Sequence, residues 1–167
     1  MAKAKPIPEG MHSITPQLVF KDAAKAIAWY EQALGAKEVL RLPGPHGTIM
    51  HAELKIGDSL LFVNDEFPGG GARPPGPDAP PTASIMLYVP DVDAAFQRAV
   101  QAGATRAMPV MDAFWGDRGG MLIDPFGVPW FIATHVNDMT AEEMRRASEA
   151  AVRRMEAAPA PNPDAAP

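Results

Sequence analysis

His51 and Glu53 stand two residues apart in the run Met50-His51-Ala52-Glu53-Leu54-Lys55-Ile56. Alternating apolar residues make that run a strand, so the imidazole and the carboxylate share a face. Such a pair suits general acid–base work, or two of the ligands of a divalent metal. The plain alternative is a solvated sheet face shared with Lys55. A second constellation is Trp115-Gly116-Asp117-Arg118. There the guanidinium suits an anionic group and the indole suits a planar ligand or a cation. The plain alternative is an Arg118 ion pair with Asp117 or Asp124, with Trp115 plugging a sheet edge. His135 closes a strand without an evident partner, and His12 and His46 fall in loops, where nothing is assigned to them.

These residues have to be placed by elements that the chain can afford. With 167 residues, 47% hydrophobic and 21% charged, it makes one ordinary domain or two small modules with a shared core. A net charge of −5 argues against a nucleic-acid partner. The absence of cysteine excludes disulfides and thiolate metal sites. No apolar run reaches the roughly 20 residues of a membrane span, and Met1-Ala2-Lys3-Ala4-Lys5-Pro6 lacks a secretory signal's apolar stretch. A cytoplasmic protein without membrane contact is the expectation.

The plan of the chain occurs twice. After a loose arm over residues 1–12, Ile14 to Phe20 reads as a strand, with Ile14, Leu18 and Phe20 turned to a helix and Thr15 and Gln17 turned away. Asp22 is an N-cap, Ala23 to Leu34 a helix, and Gly35 its left-handed terminus. Strands follow near 37–41, 48–56 and 59–64. A linker over 66–82 holds three consecutive glycines and six prolines. Then strand Ile85 to Pro90, N-cap Asp91, helix Val92 to Ala102 and Gly103 repeat the pattern. Asp22 precedes Gly35 by 13 residues and the Gly57 turn by 35; Asp91 precedes Gly103 by 12 and Gly127 by 36. Insertions of a single residue are the mark of a diverged internal duplication. The predicted architecture is α+β, with two tandem βαβββ modules (13–65 and 83–136) forming a curved mixed sheet around a cup. The helices cover one face. Ser84, Met86 and Tyr88 then point into the cup from the second module, as Gln17, His51 and Glu53 do from the first.

Two features close the chain. Asp124-Pro125-Phe126-Gly127 is a hairpin turn between apolar strands. Thr140-Ala141-Glu142-Glu143 fits a capping box at the head of a helix over 139–157, whose stripe Met144, Ala147, Ala151, Met155 either packs on its own domain or meets a second copy. An Ala/Pro-rich tail over 158–167 is expected to be disordered.

The hairpin at Asp124, the duplicated plan and the Trp115-Gly116-Asp117-Arg118 loop resemble the vicinal-oxygen-chelate superfamily (glyoxalase, bleomycin resistance protein, extradiol dioxygenase), in particular its PhnB-like branch. The resemblance implies a homodimer with cups at or near the subunit interface. It also implies a divalent metal held by His, Gln or Glu about seven residues before each capping Asp and about four after each turn glycine. Those places hold Thr15, Ser84, Leu61 and Phe131. Hydroxyls are poor ligands for Zn²⁺, Ni²⁺ or Fe²⁺, and hydrocarbon side chains have no lone pair to give. Val128 also stands where the branch usually has His. The expectation is therefore a binder of a small organic ligand, aromatic or cationic, with no metal or other cofactor. Its ligand contacts would be Gln17, His51, Glu53, Ser84, Met86, Tyr88, Trp115 and Arg118. The competing class is a lyase, isomerase or dioxygenase-type enzyme, with or without a divalent metal, that uses His51 and Glu53 as its catalytic pair.

Overall fold

The computed structural model describes residues 4–77 and 79–157, so the expected disordered tail lies outside the described residues. Asp22 and Asp91 cap the first two helices as their spacing predicts. The carboxylate of each accepts from the backbone N–H three residues on, Lys25 at 3.1 Å and Ala94 at 3.0 Å. The elements run β1 (Gln17–Phe20), α1 (Ala23–Leu34), β2 (Lys37–Pro43), β3 (Ile49–Ile56), β4 (Ser59–Asp65), β5 (Ile85–Tyr88), α2 (Val92–Gln101), β6 (Thr105–Asp112), β7 (Asp117–Ile123), β8 (Pro129–His135) and α3 (Ala141–Ala157). Strand order is β1-β4-β3-β2 in one sheet and β5-β8-β7-β6 in the other, with the first pair of each parallel and the rest antiparallel. The two tandem βαβββ modules are therefore present as two four-stranded mixed sheets. Among the described residues, no helix is long and apolar enough to cross a membrane.

The duplication extends to a detail that the sequence hides. The first N–H of α1, on Ala23, is held by Asp65 Oδ1 at 2.8 Å; that of α2, on Val92, is held by Thr134 Oγ1 at 2.9 Å. Asp65 pairs with Phe20 on β1, and Thr134 follows the pairing of Ala133 with Tyr88 on β5. The same position on the last strand of each module thus ties down the helix start with a different residue. Gly35 ends α1 at φ 70°, in the left-handed region where a side chain would be strained.

β1 is shorter than the alternation suggests. Pro16 has no N–H for the ladder, which begins with its carbonyl accepting from Phe62, and the strand starts at Gln17. Ile14, expected against the helix, lies ahead of the strand and is 85% exposed.

Both helices lie on one side, and the modules share one core there. Tyr30, Trp130, Phe20, Ile27, Leu54 and Ile132 are buried in it. Trp29 donates its indole N–H to Ala102 O at 2.8 Å, and Arg98 donates to Ala33 O at 2.8 Å, so each helix end is stitched to the other. At the centre sits Asp124, buried in the hairpin turn. Its Oδ2 accepts from the Tyr30 hydroxyl at 2.7 Å and the Trp130 indole at 3.1 Å; its Oδ1 accepts from the N–H groups of Phe126 and Val128, each at 2.9 Å. Burial, and then the Asp124 charge, push the Tyr30 hydroxyl well above its ordinary pKa, so it remains a donor. Tyr30→Phe removes one donor and is expected to cost about 1–2 kcal/mol. Asp124→Ala leaves a buried hydroxyl, an indole and two amides unpaired and is expected to cost at least about 3 kcal/mol. Urea unfolding at constant m-value measures both; equal losses would contradict this account.

Candidate functional site

Strand pairing decides which side chains leave the core. In the first sheet, Leu40, Glu53, Phe62 and Gln17 form one row across β2, β3, β4 and β1, and Leu42 pairs with His51 in the next. His51 Nε2 lies 3.4 Å from Glu53 Oε1, and the His51 ring meets Phe62 edge-on at 4.8 Å. Gln17 donates to Asn64 Oδ1 at 2.7 Å, and Asn64 in turn donates to the Asp65 carbonyl at 2.7 Å. This face thus brings together three residues singled out from sequence, Gln17, His51 and Glu53. Leu40 and Leu42 remain exposed beside them.

In the second sheet, Met86, Phe131, Met121 and Met108 form one row; Tyr88, Ala133, Gly119 and Met111 form the next; His135 pairs with Asp117 beyond it. Gly119 is a requirement of this floor. A Cβ there would stand 2.6 Å from the Phe131 ring, so only a glycine lets that ring lie across β7. Trp115 stands 6.0 Å from Phe131 and 5.0 Å edge-on from Phe114.

The helix α3 crosses above this floor, its head fixed by the predicted capping box: Glu143 N–H donates to Thr140 Oγ1 at 3.2 Å, and Thr140 N–H donates back to Glu143 Oε2 at 2.8 Å. Ala151 is buried against the sheet side, while Met144, Val152 and Met155 stay exposed. Between α3 and the sheet lies a cavity of about 520 Å³, lined chiefly by Met108, Met111, Phe114, Trp115, Phe131 and Met155. That volume accommodates a small organic molecule. A second cavity, about 370 Å³, opens at the seam between the modules, beside Thr15, Leu60, Met86 and Tyr88.

Asp117 anchors the aromatic wall. Only 2% exposed, it accepts from Trp115 Nε1 at 2.8 Å, the Tyr88 hydroxyl at 2.9 Å and His135 Nδ1 at 2.7 Å, while His135 Nε2 meets Asp138 at 3.0 Å. Burial alone would raise its pKa; the donors His135, Tyr88 and Trp115 outweigh burial and hold it below the ordinary carboxylate value. The hydrogen bonds to Asp117 and then Asp138 raise that of His135.

The residues singled out from sequence are therefore distributed. Gln17, His51 and Glu53 lie on the first sheet, Met86 and Tyr88 at the seam, and Trp115 under α3. Ser84 is exposed just ahead of β5. Arg118 points to the helix side. It grips Asp93 of α2 with Nε and Nη2, both at 2.9 Å, and Asp112 with Nη1 at 3.1 Å; neither carboxylate was a partner considered from sequence. These bonds, Asp93 first, raise its pKa. Met108, Met111, Phe114 and Arg154 were not singled out. Bulges along β6 break the alternation that would have marked its two methionines.

The superfamily's metal positions can be tested on their donors. Gly57 opens a two-residue turn, whereas Gly127 lies at the end of a longer one, so counting four residues from each glycine slips the register by one. Leu61 is 4% exposed, in the core; the strand partner of Gln17 is Phe62, as that of Met86 is Phe131. With that correction the four positions present Thr15, Ser84 and two phenyl rings, a set that does not fit a divalent metal. Among the described residues, no group of three or more His, Cys, Asp or Glu is placed to hold a metal ion.

Residues 10–132 match the family model for the glyoxalase/bleomycin resistance protein/dioxygenase superfamily. An uncharacterised protein of Mycobacterium tuberculosis (strain H37Rv) is 41% identical over 138 residues, covering 81% of this chain and 81% of its own. Among solved structures, TioX from Micromonospora sp. ML1 superposes with a TM-score of 0.61 at 28% identity, covering 75% of this chain and 99% of its own. The PhnB protein from Bacillus cereus gives 0.58 at 19% identity, covering 74% and 99%, and at that identity shows the fold alone.

Raised in the folded state, the His135 pKa stabilises the protein fully below its unfolded value of about 6.5, and that contribution is lost as pH rises through the folded value. Asp117, lowered on folding, contributes above its unfolded value of about 3.9 and is lost as pH falls through the folded one. The urea midpoint of the native chain should therefore exceed that of His135→Gln most clearly near about pH 6, with the gap narrowing at higher pH. A gap that does not change with pH would refute the charged contact.

Proposed function

The chain belongs to the glyoxalase/bleomycin resistance protein/dioxygenase superfamily, and from that premise we propose that it binds a small organic ligand with a planar aromatic body in the cavity between the second sheet and α3, without the family's metal site. The observation that carries the reading is the cavity itself: an apolar space with an indole whose one polar atom is already bonded to Asp117. An indole so held keeps its face for stacking and does not have to be ordered when the ligand arrives. Residues 13–65 and 83–136 act as the two modules of the binding unit, and the chain pairs with a second copy. The exposed Leu40 and Leu42, beside His51 and Glu53 on the first sheet, support a partner on that side.

Trp29 and Trp130 are buried and hydrogen-bonded, so a ligand in this cavity quenches Trp115 in particular. Titration with a neutral bicyclic aromatic, 2-naphthol, is expected to quench tryptophan fluorescence and raise Tm. Trp115→Ala should weaken binding by about tenfold, the worth of one aromatic contact. Quenching and affinity that persist unchanged in Trp115→Ala would place the ligand elsewhere.

A second reading has one observation in its favour, the half-buried contact of His51 with Glu53 on the first sheet. It makes the protein an enzyme that uses that pair as acid and base, with or without a divalent metal. Metal analysis of the purified protein separates the two. Stoichiometric Zn, Ni, Mn or Fe that is lost in His51→Ala would favour the enzyme; the binder is expected to carry none and to keep its 2-naphthol affinity in that variant.

A further inference from the structure

The cavity edge does not share the acidity of the whole chain: its lining carries one carboxylate and one guanidinium. The protein is acidic, at −5, which at long range favours cations. Of the side chains that line the cavity, two are charged, Asp112 and Arg154. The Asp112 carboxylate already accepts from Arg118 Nη1 at 3.1 Å, an arginine that Asp93 grips from the helix side. Asp117, behind Trp115, is saturated by its donors. Arg154 is different. Its Nε donates to the Ala150 carbonyl at 3.2 Å, and among the described residues no carboxylate lies within 4.0 Å of its guanidinium. An apolar cavity with aromatic walls and one uncommitted cation offers stacking area and a fork of N–H donors at its edge.

We propose that this cavity selects planar aromatic anions, carboxylates above all, with Trp115 and Phe131 contacting the ring system and Arg154 serving as the counter-ion. The inference rests on the cavity's being the ligand site and adds the charge class of its ligand. It makes α3 part of the site, since the discriminating cation comes from that helix and not from the duplicated modules. Short-range pairing at the cavity edge then overrides the long-range field of the chain, which salt screens within about 8 Å at physiological ionic strength.

A matched pair of probes tests this on the full chain: 2-naphthoate and 2-naphthylmethylammonium carry the same ring and opposite charge. By isothermal titration calorimetry at neutral pH, 2-naphthoate is expected to bind about threefold to fivefold more tightly, as suits a partly exposed ion pair. In Arg154→Gln the two affinities should converge through a loss for 2-naphthoate alone, and Arg154→Lys should restore part of the preference. Arg154 is exposed, so these variants should keep the native urea midpoint. Equal binding of the two probes, a preference for the ammonium, or a 2-naphthoate preference that survives Arg154→Gln would overturn the inference and leave the cavity reading intact. If neither probe binds, the inference fails, and the 2-naphthol titration decides the cavity reading separately.

Discussion

A buried carboxylate on a four-residue turn holds this molecule together. Asp124 is surrounded by the aromatic core, and a charge or even a polar group in that position is tolerable only because each of its oxygens has two donors. Two of the four belong to the turn itself, which is local chemistry. The Tyr30 hydroxyl is not local: it comes from α1, in the other module. The residue that shapes the second hairpin therefore also fixes the first module's helix against the second module's sheet. The reciprocal stitches of Trp29 to Ala102 and Arg98 to Ala33 complete the same joint from the helix side.

That joint has a consequence for the other faces of the sheets. Because α1 and α2 share one core, the opposite faces of both sheets are left for other uses. The molecule treats the two faces differently. On the first, exposed Leu40 and Leu42 flank the polar Gln17, Asn64, His51 and Glu53, of which Asn64 is buried. The second is floored by Gly119 and Phe131 and roofed by α3. A duplication thus yields two similar frames and two dissimilar surfaces, one with a polar row flanked by leucines, the other apolar and aromatic with α3 beside it.

Much of the frame was legible because its signals are local. A carboxylate that caps a helix and a glycine that ends one each act within a few residues, so Asp22, Gly35, Asp91 and Gly103 could be matched by counting. The alternation of His51 and Glu53 was legible for the same reason. Counting failed where the local rule was right but the reference point shifted: Gly57 and Gly127 sit at different places in turns of different length, which sent the eye to Leu61 in place of Phe62. It failed again at Ile14, where a proline delays the strand. The apolar stripe of α3 announced a helix with something to cover, yet a stripe carries no address; that its Ala151 would line one cavity with Phe131, 20 residues earlier, depends on how the chain returns to the sheet. Arg118 shows the same limit. The residue before it in sequence, Asp117, is a carboxylate, but residues alternate across a strand, so Arg118 meets Asp93 of α2 and leaves Asp117 to the other face.

The fold shared across this superfamily decides little about chemistry, and this chain illustrates why. The strands that could present metal ligands are present and paired as the architecture requires, but the side chains at those registers are phenyl rings and hydroxyls. What replaces coordination is packing: a glycine removed from the path of a ring, a ring against an indole, an indole fixed by a carboxylate beneath it. Each step depends on the one before, and all of them lie within the second module. The remaining wall comes from a helix that follows the two modules in the chain and obeys none of their repeats. A helix over a sheet face changes what that face presents without changing the frame, because a roof meets solvent on one side and so constrains few residues. Its Arg154 sets beside the cavity a charge opposite in sign to that of Asp112, which the second module provides.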